Sequence, residues 1–143
     1  MYALSRRVLL ASAAGAFARG VAAGAATAAD TIKIGVLATL EGAFTVLGED
    51  SMRGANLAFD EAGMMGGGKK IEVITGSSDA SPDSAIAAAR KLVEQDKVDI
   101  LIGPLSGDEG LAMRDYAKTQ PQVTFVNGTS AAADTTLRDA APN

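Results

Sequence analysis

The sequence predicts an α/β fold, a parallel sheet with helices on both faces, and two observations carry the expectation. Short apolar segments rich in β-branched residues alternate between residues 31 and 126 with segments of helical period, in the order βαβαβαβ. Strands separated by helices of about 10 to 15 residues imply right-handed crossovers and a parallel sheet. The strands are also nearly continuous in apolar character, as burial on both faces requires.

Each element has its own signal. Residues 31–38, Thr-Ile-Lys-Ile-Gly-Val-Leu-Ala, alternate at first and then become wholly apolar, which reads as the first strand. After a loop over residues 39–47, Met52, Ala55, Phe59 and Ala62 recur at helical spacing, predicting a helix over residues 48–62 with Glu49 and Asp50 in its first turn and Gly63 as its stop. Residues 70–75 form a second strand by β-branched content. Ser81 fits an N-cap, Pro82 the first helical position and Asp83 the first turn, ahead of an apolar face of Ala85, Ile86, Ala89, Leu92 and Val93. A third strand over residues 98–102 ends at Gly103-Pro104. A helix over residues 108–118 follows with Leu111, Ala112, Met113 and Tyr116 inward, and residues 123–126 make a fourth strand. Residues 131–143 carry only a weak signal for a further short helix.

The first 29 residues have a different chemistry. They contain Arg6, Arg7 and Arg19 and no acid, an Ala-rich apolar run over residues 8–17, and a small-residue exit at Ala26-Thr27-Ala28-Ala29. That order is a secretory signal peptide, and an apolar run of about ten residues is too short for a spanning helix, which needs about 20. Ser5-Arg6-Arg7-Val8-Leu9-Leu10 also fits a twin-arginine signal, so both the Sec and the twin-arginine routes stay open. The expected product is soluble and periplasmic, with residues 30–143 as its folded domain.

Charge and composition narrow the function. Three of the 13 basic residues lie in the leader, leaving 10 against 17 acids and a net charge of −7 for residues 30–143. The basic residues are scattered, with no stripe to follow a phosphate backbone, so nucleic acid is excluded as a partner. The chain has no Cys and no His. Disulfides, thiolate or imidazole metal sites and His-based acid-base catalysis are therefore absent, and no cofactor is expected.

Ligands of an open parallel sheet sit beyond the carboxyl ends of the strands. Three loops qualify, over residues 39–48, 103–107 and 127–130, each rich in Gly and hydroxyl side chains, although ordinary turn chemistry accounts for that composition equally well. Other motifs fail. Residues 63–70 imitate a phosphate loop, but Lys70 replaces the required hydroxyl and the segment runs from helix into strand, so it reads as a flexible turn. Ser106 follows a buried strand without the spacing of a nucleophile elbow and without a His to activate it, so no catalytic residue is expected. The pairs Asp60-Glu61 and Asp108-Glu109 read as solvated helix surface, since sequential neighbours on a helix do not face each other. Asp79 reads as a loop hydrogen-bonding residue.

Several runs in order carry a resemblance. Residues 32–37, Leu40-Glu41-Gly42-Ala43-Phe44 through Leu47-Gly48, Arg53-Gly54-Ala55, Asp79-Ala80-Ser81-Pro82, residues 98–104 and Phe125-Val126-Asn127-Gly128-Thr129-Ser130 together resemble the periplasmic binding proteins for branched-chain amino acids. The resemblance implies the Rossmann-like first lobe of a type I periplasmic binding protein, incomplete here, with the second lobe and hinge strands lying beyond Asn143. It implies a monomeric solute-binding component that closes on a small-molecule ligand and delivers it to the membrane permease of an ABC transporter. A receptor's sensing domain of the same fold is the alternative. Carried over residue by residue, the implied ligand contacts are Leu105, Ser106 and Gly107 in one loop, Gly128, Thr129 and Ser130 in another, and Leu47 after the first strand. Leu47 replaces a common aromatic, Gly107 a carboxylate-binding serine, and Glu41 and Ala43 a hydroxyl residue and a proline. An amide, a polyol, another amino acid or an aromatic compound thus stands beside a branched-chain amino acid as the ligand.

Overall fold

A computed structural model describes residues 31–143. The signal peptide inferred over residues 1–29 lies outside the described residues. Strand β1 (Thr31–Thr39) runs into a 3-10 turn (Gly42–Phe44) and helix α1 (Thr45–Glu61). A hairpin of β2 (Met65–Gly66) and β3 (Lys69–Ser78) follows, then α2 (Pro82–Arg90), β4 (Ile100–Gly103), α3 (Gly107–Ala117) and β5 (Thr124–Asn127). The sheet order is β2-β3-β1-β4-β5, parallel throughout except for the β2 edge.

Strand β1 is central, and its alternation divides the two layers. Leu37 joins Leu101, Ala85, Ala89, Leu92 and Met113 in the core between the sheet and α2 and α3. Val36 and Ala38 point the other way, where Ser51 and Ala55 of α1 stand over them. Helices therefore cover both faces, as expected. Leu92 is fully buried and fills a hollow made by two glycines: a methyl at Gly35 would lie 3.2 Å, and one at Gly76 2.8 Å, from its Cδ1.

Four sequence expectations are corrected. Helix α1 begins at Thr45, three residues before Gly48, despite the β-branched Thr45 and Val46; the Thr45 hydroxyl ties the helix start to the preceding turn by donating to the Gly42 carbonyl at 2.8 Å. Glu49 and Asp50 consequently miss the first turn, and instead flank Arg53 in ion pairs on an exposed surface. The segment read as a flexible turn is the β2-β3 hairpin, closed by Gly67 and Gly68 at φ 57° and 81°, a pair of left-handed residues suited to a two-residue turn. The inner face of α3 is Glu109, Gly110, Met113, Tyr116 and Ala117, with Leu111 and Ala112 only partly buried at its flank. Glu109 is fully buried, whereas its neighbour Asp108 is exposed as expected.

Two smaller features complete the layer. The last turn of α2 widens into a π turn (Lys91–Gln95), which leaves both Leu92 and Val93 in the core. After β5 the chain forms a single 3-10 turn (Ala133–Thr135) and returns along α3, where Asp139 pairs with Arg114 at 3.3 Å and Lys118 at 2.8 Å.

Tyr116 packs edge-on against Phe125, with ring centroids 6.1 Å apart, and donates to Glu94 at 3.1 Å. Burial, reinforced by that carboxylate, pushes its phenol up from 10.0 to about 12. A folded-state value above the unfolded one stabilises the fold fully below pH 10 and is lost as pH rises towards 12. The phenolate difference spectrum between the protein and its Tyr116→Phe variant is expected to titrate in the upper part of that window. A midpoint at the ordinary tyrosine value rejects the assignment.

Candidate functional site

The carboxyl ends of β1, β3, β4 and β5 come to one edge, pairing Thr39 with Ser78 and Gly103 with Asn127. The loop after β1 is tied to the end of β3, since the amides of Leu40 and Glu41 both donate to the Ser78 carbonyl at 3.1 Å. Behind that edge lies a hydrogen-bonded chain. The Ser78 hydroxyl donates to Glu109 Oε1 at 2.5 Å, which leaves its oxygen to accept from the Thr39 hydroxyl at 3.2 Å. Glu109 Oε2 accepts from the Ser106 amide at 2.9 Å, and the Ser106 hydroxyl accepts from the Glu109 amide at 3.2 Å. Ser106 and Glu109 thus form a capping box on α3 whose carboxylate also reaches across to β3.

In front of the edge is a groove of about 240 Å³ between α1 and the sheet, walled by Val36, Ala38, Ile102 and Leu105 and closed by Gly128 and Thr129. Its lining is mostly apolar, with Thr39, Ser51 and Thr129 as its hydroxyl residues. The Gly128 amide donates to the Gly103 carbonyl at 3.2 Å, and a methyl at Gly128 would stand 3.1 Å from both Gly103 Cα and the Pro104 carbonyl. That close approach calls for glycine. The loops around this edge and the first turn of α3 carry Glu41, Asp79 and Asp108 and no lysine or arginine. Asp79 is held below the usual carboxylate range first by the Ser81 hydroxyl and then by the Ser81 amide, and Glu41 accepts from Ser77 at 2.8 Å. Asp79 therefore has the loop hydrogen-bonding role expected of it.

The residues named from sequence divide into four groups. Leu105, Gly128 and Thr129 line the groove. Ser106 and Gly107 open α3 beside it, with the Ser106 hydroxyl occupied by the capping box and by the Ala80 carbonyl at 3.3 Å. Ser130 lies against α3: a methyl on Gly110 would fall 1.9 Å from its Oγ, and that oxygen is buried with no hydrogen-bond partner among the described residues. Leu47 is half exposed on α1 and does not line the groove. Thr39, Ser78 and Glu109 were missed. The Ser106-x-x-Glu109 spacing was the available signal, since it spells a capping box. Nothing local shows that its carboxylate turns inward to Ser78.

An open α/β lobe with a groove at the carboxyl edge of its sheet belongs to the class of folds that hold small ligands outside the strand ends. Residues 31–143 match the family model described as periplasmic binding protein, and the chain belongs to that family. The Leu/Ile/Val-binding protein homolog 7 of Brucella abortus is 35% identical over 92 residues, covering 63% of this chain and 23% of that protein. The ABC transporter substrate-binding protein from Sphaerobacter thermophilus superposes with a TM-score of 0.67 at 38% identity, over 76% of this chain and 29% of that one. The branched-chain amino acid transporter substrate binding protein LivJ of Streptococcus pneumoniae, solved with isoleucine, gives a TM-score of 0.65 at 30% identity over 72% and 30%. The chain therefore spans less than a third of the length of these relatives. Among the described residues no helix is long and apolar enough to cross a membrane.

Proposed function

We propose that this chain supplies the first lobe of an extracytoplasmic solute-binding protein, which captures a small polar solute, a branched-chain amino acid or a similar compound, for the permease of an ABC uptake transporter. Residues 1–29 direct its export to the periplasm, and residues 30–143 form the N-terminal part of the ligand-binding unit. The observation that carries this reading is the groove at the sheet edge. Its apolar wall of Val36, Ile102 and Leu105 accepts an aliphatic side chain, while Thr129, at the closed end of the groove, stands where a polar head group would lie. Ser106 and Gly107 border that head group from the start of α3, whereas Leu47 is outside the groove on the exposed side of α1. Capture needs no covalent step. The second lobe closes over the solute, so burial from both sides sets the affinity.

The first test is thermal stabilisation of the full-length protein by amino acids, their amides, polyols and aromatic acids. A ligand at about 100 times its Kd adds about 2.7 kcal/mol, a visible rise in Tm. No response to any of these solutes rejects the reading. Ser130→Ala supplies a second test. Removing a buried hydroxyl that has no partner leaves stability unchanged or slightly higher, yet costs about 1.5 kcal/mol or more of binding if that hydroxyl turns to a charged ligand group. Equal affinity in the variant removes Ser130 from the site.

A further inference from the structure

We propose that Glu109 is the positioning residue of the ligand-facing edge, acting through Ser106 and Ser78 to hold three loops in one fixed arrangement; this rests on the solute-capture reading above. Thr39 ends β1, Ser78 ends β3 and Ser106 precedes α3, and the side chain of Glu109 is linked to Ser78 and Ser106 directly and to Thr39 through Ser78. Thr39, Ser78 and Glu109 are each 0% exposed.

The geometry separates this role from simple capping. A capping box needs its glutamate only at the backbone amide of the N-cap, and a carboxylate that does no more is free to stay in water. Here the second oxygen is taken into the interior to accept from Ser78. Placing a carboxylate there is costly even when it is hydrogen-bonded, and an apolar side chain of similar volume is often as stable or more so. Stability therefore does not explain the choice of Glu. Fixed direction does: two acceptors set apart by the carboxyl geometry define where the Ser106 amide and the end of β3 lie relative to each other. The Ser106 hydroxyl carries the same constraint onward to the Ala80 carbonyl in the loop after β3. Glu109 does not line the groove, so its effect on a ligand passes through the loops it holds.

Three substitutions at this position separate positioning from stability. Glu109→Gln retains an acceptor for the Ser106 amide and donates to Ser78, whose hydroxyl then reverses. Glu109→Leu fills the space without either hydrogen bond, and Glu109→Ala removes both. The full-length protein is titrated with L-isoleucine by calorimetry at a temperature where each variant is folded. Gln is expected to bind within a few-fold of wild type, while Ala and Leu weaken binding roughly tenfold or more, Leu doing so without a matching loss of stability. Amide hydrogen exchange at Ser106 in the ligand-free protein is expected to accelerate in Ala and Leu and stay slow in Gln. Wild-type affinity in Glu109→Leu overturns the proposal, as does unchanged exchange at Ser106. If wild type itself does not bind L-isoleucine, the branched-chain reading fails while the exchange data still decide whether Glu109 positions the loop. Should Ala and Leu fail to fold, Ser78→Ala removes the contact to β3 and leaves the helix cap in place. It is expected to weaken binding, and wild-type affinity in that variant again overturns the proposal.

Discussion

Gly48→Ala is expected to destabilise the protein by about 3 kcal/mol or more, the upper end of what an overpacked site costs. Gly48 is buried within α1, and a methyl there would lie 1.7 Å from the Thr39 carbonyl oxygen, 2.5 Å from its carbon and 3.0 Å from its nitrogen. Those atoms are backbone of the central strand, so no rotamer relieves the clash. In an isolated helix the same change would favour folding by about 1 kcal/mol, since alanine is the better helix former. The contact outweighs propensity because α1 cannot move off β1 without opening the groove they share. Gly54, on the same helix, has open space where a methyl would stand, with no atom within 4 Å, and serves as the control. Denaturant unfolding of the two alanine variants is expected to show a large loss for Gly48 and little or none for Gly54. Equal stabilities reject the close approach of α1 to Thr39.

Leu92→Ala is expected to cost about 2 to 5 kcal/mol, the range for emptying a fully buried leucine site. The hollow that receives Leu92 is built on Gly35 and Gly76, whose missing side chains leave the sheet unable to close over the vacated space. The expected value is therefore in the upper half of that range. Adding a methyl back at Gly76, which in the native protein falls 2.8 Å from Leu92 Cδ1, is expected to recover part of the loss in the double variant while being destabilising by itself. Simple additivity of the two substitutions rejects the knob-in-hollow packing.

The order of elements was legible because it rests on local patterns. Ser81 caps α2 by accepting from the Ser84 amide at 3.3 Å, and Pro82 opens the helix, both as the sequence indicates. The apolar runs of β1 and β4 pair in parallel as expected of strands buried on both faces. The start of α1 was displaced because Glu49 and Asp50 looked like first-turn acids, while the true start lacks a side-chain cap altogether. The β2 edge was missed because a two-residue strand beside glycines has no periodicity to read. Within the candidate site, the Gly103 and Gly128 loops are legible from position alone, as the topology of a parallel sheet puts them at the carboxyl edge where the groove lies.

What the sequence by itself determined is the α/β order and the loops that follow the strand ends, since hydrophobic period, caps and turns act over a few neighbouring residues. What only the tertiary structure decided is which side chains those loops expose. Leu105 and Thr129 line the groove while the Ser130 hydroxyl turns onto Gly110, and Glu109 leaves the solvated surface expected of it to join Ser78 and Ser106 inside. Those outcomes depend on contacts between residues 20 to 31 positions apart, such as Glu109 with Ser78 and Ser130 with Gly110, and chain proximity in space is a product of crossover geometry that no local pattern records.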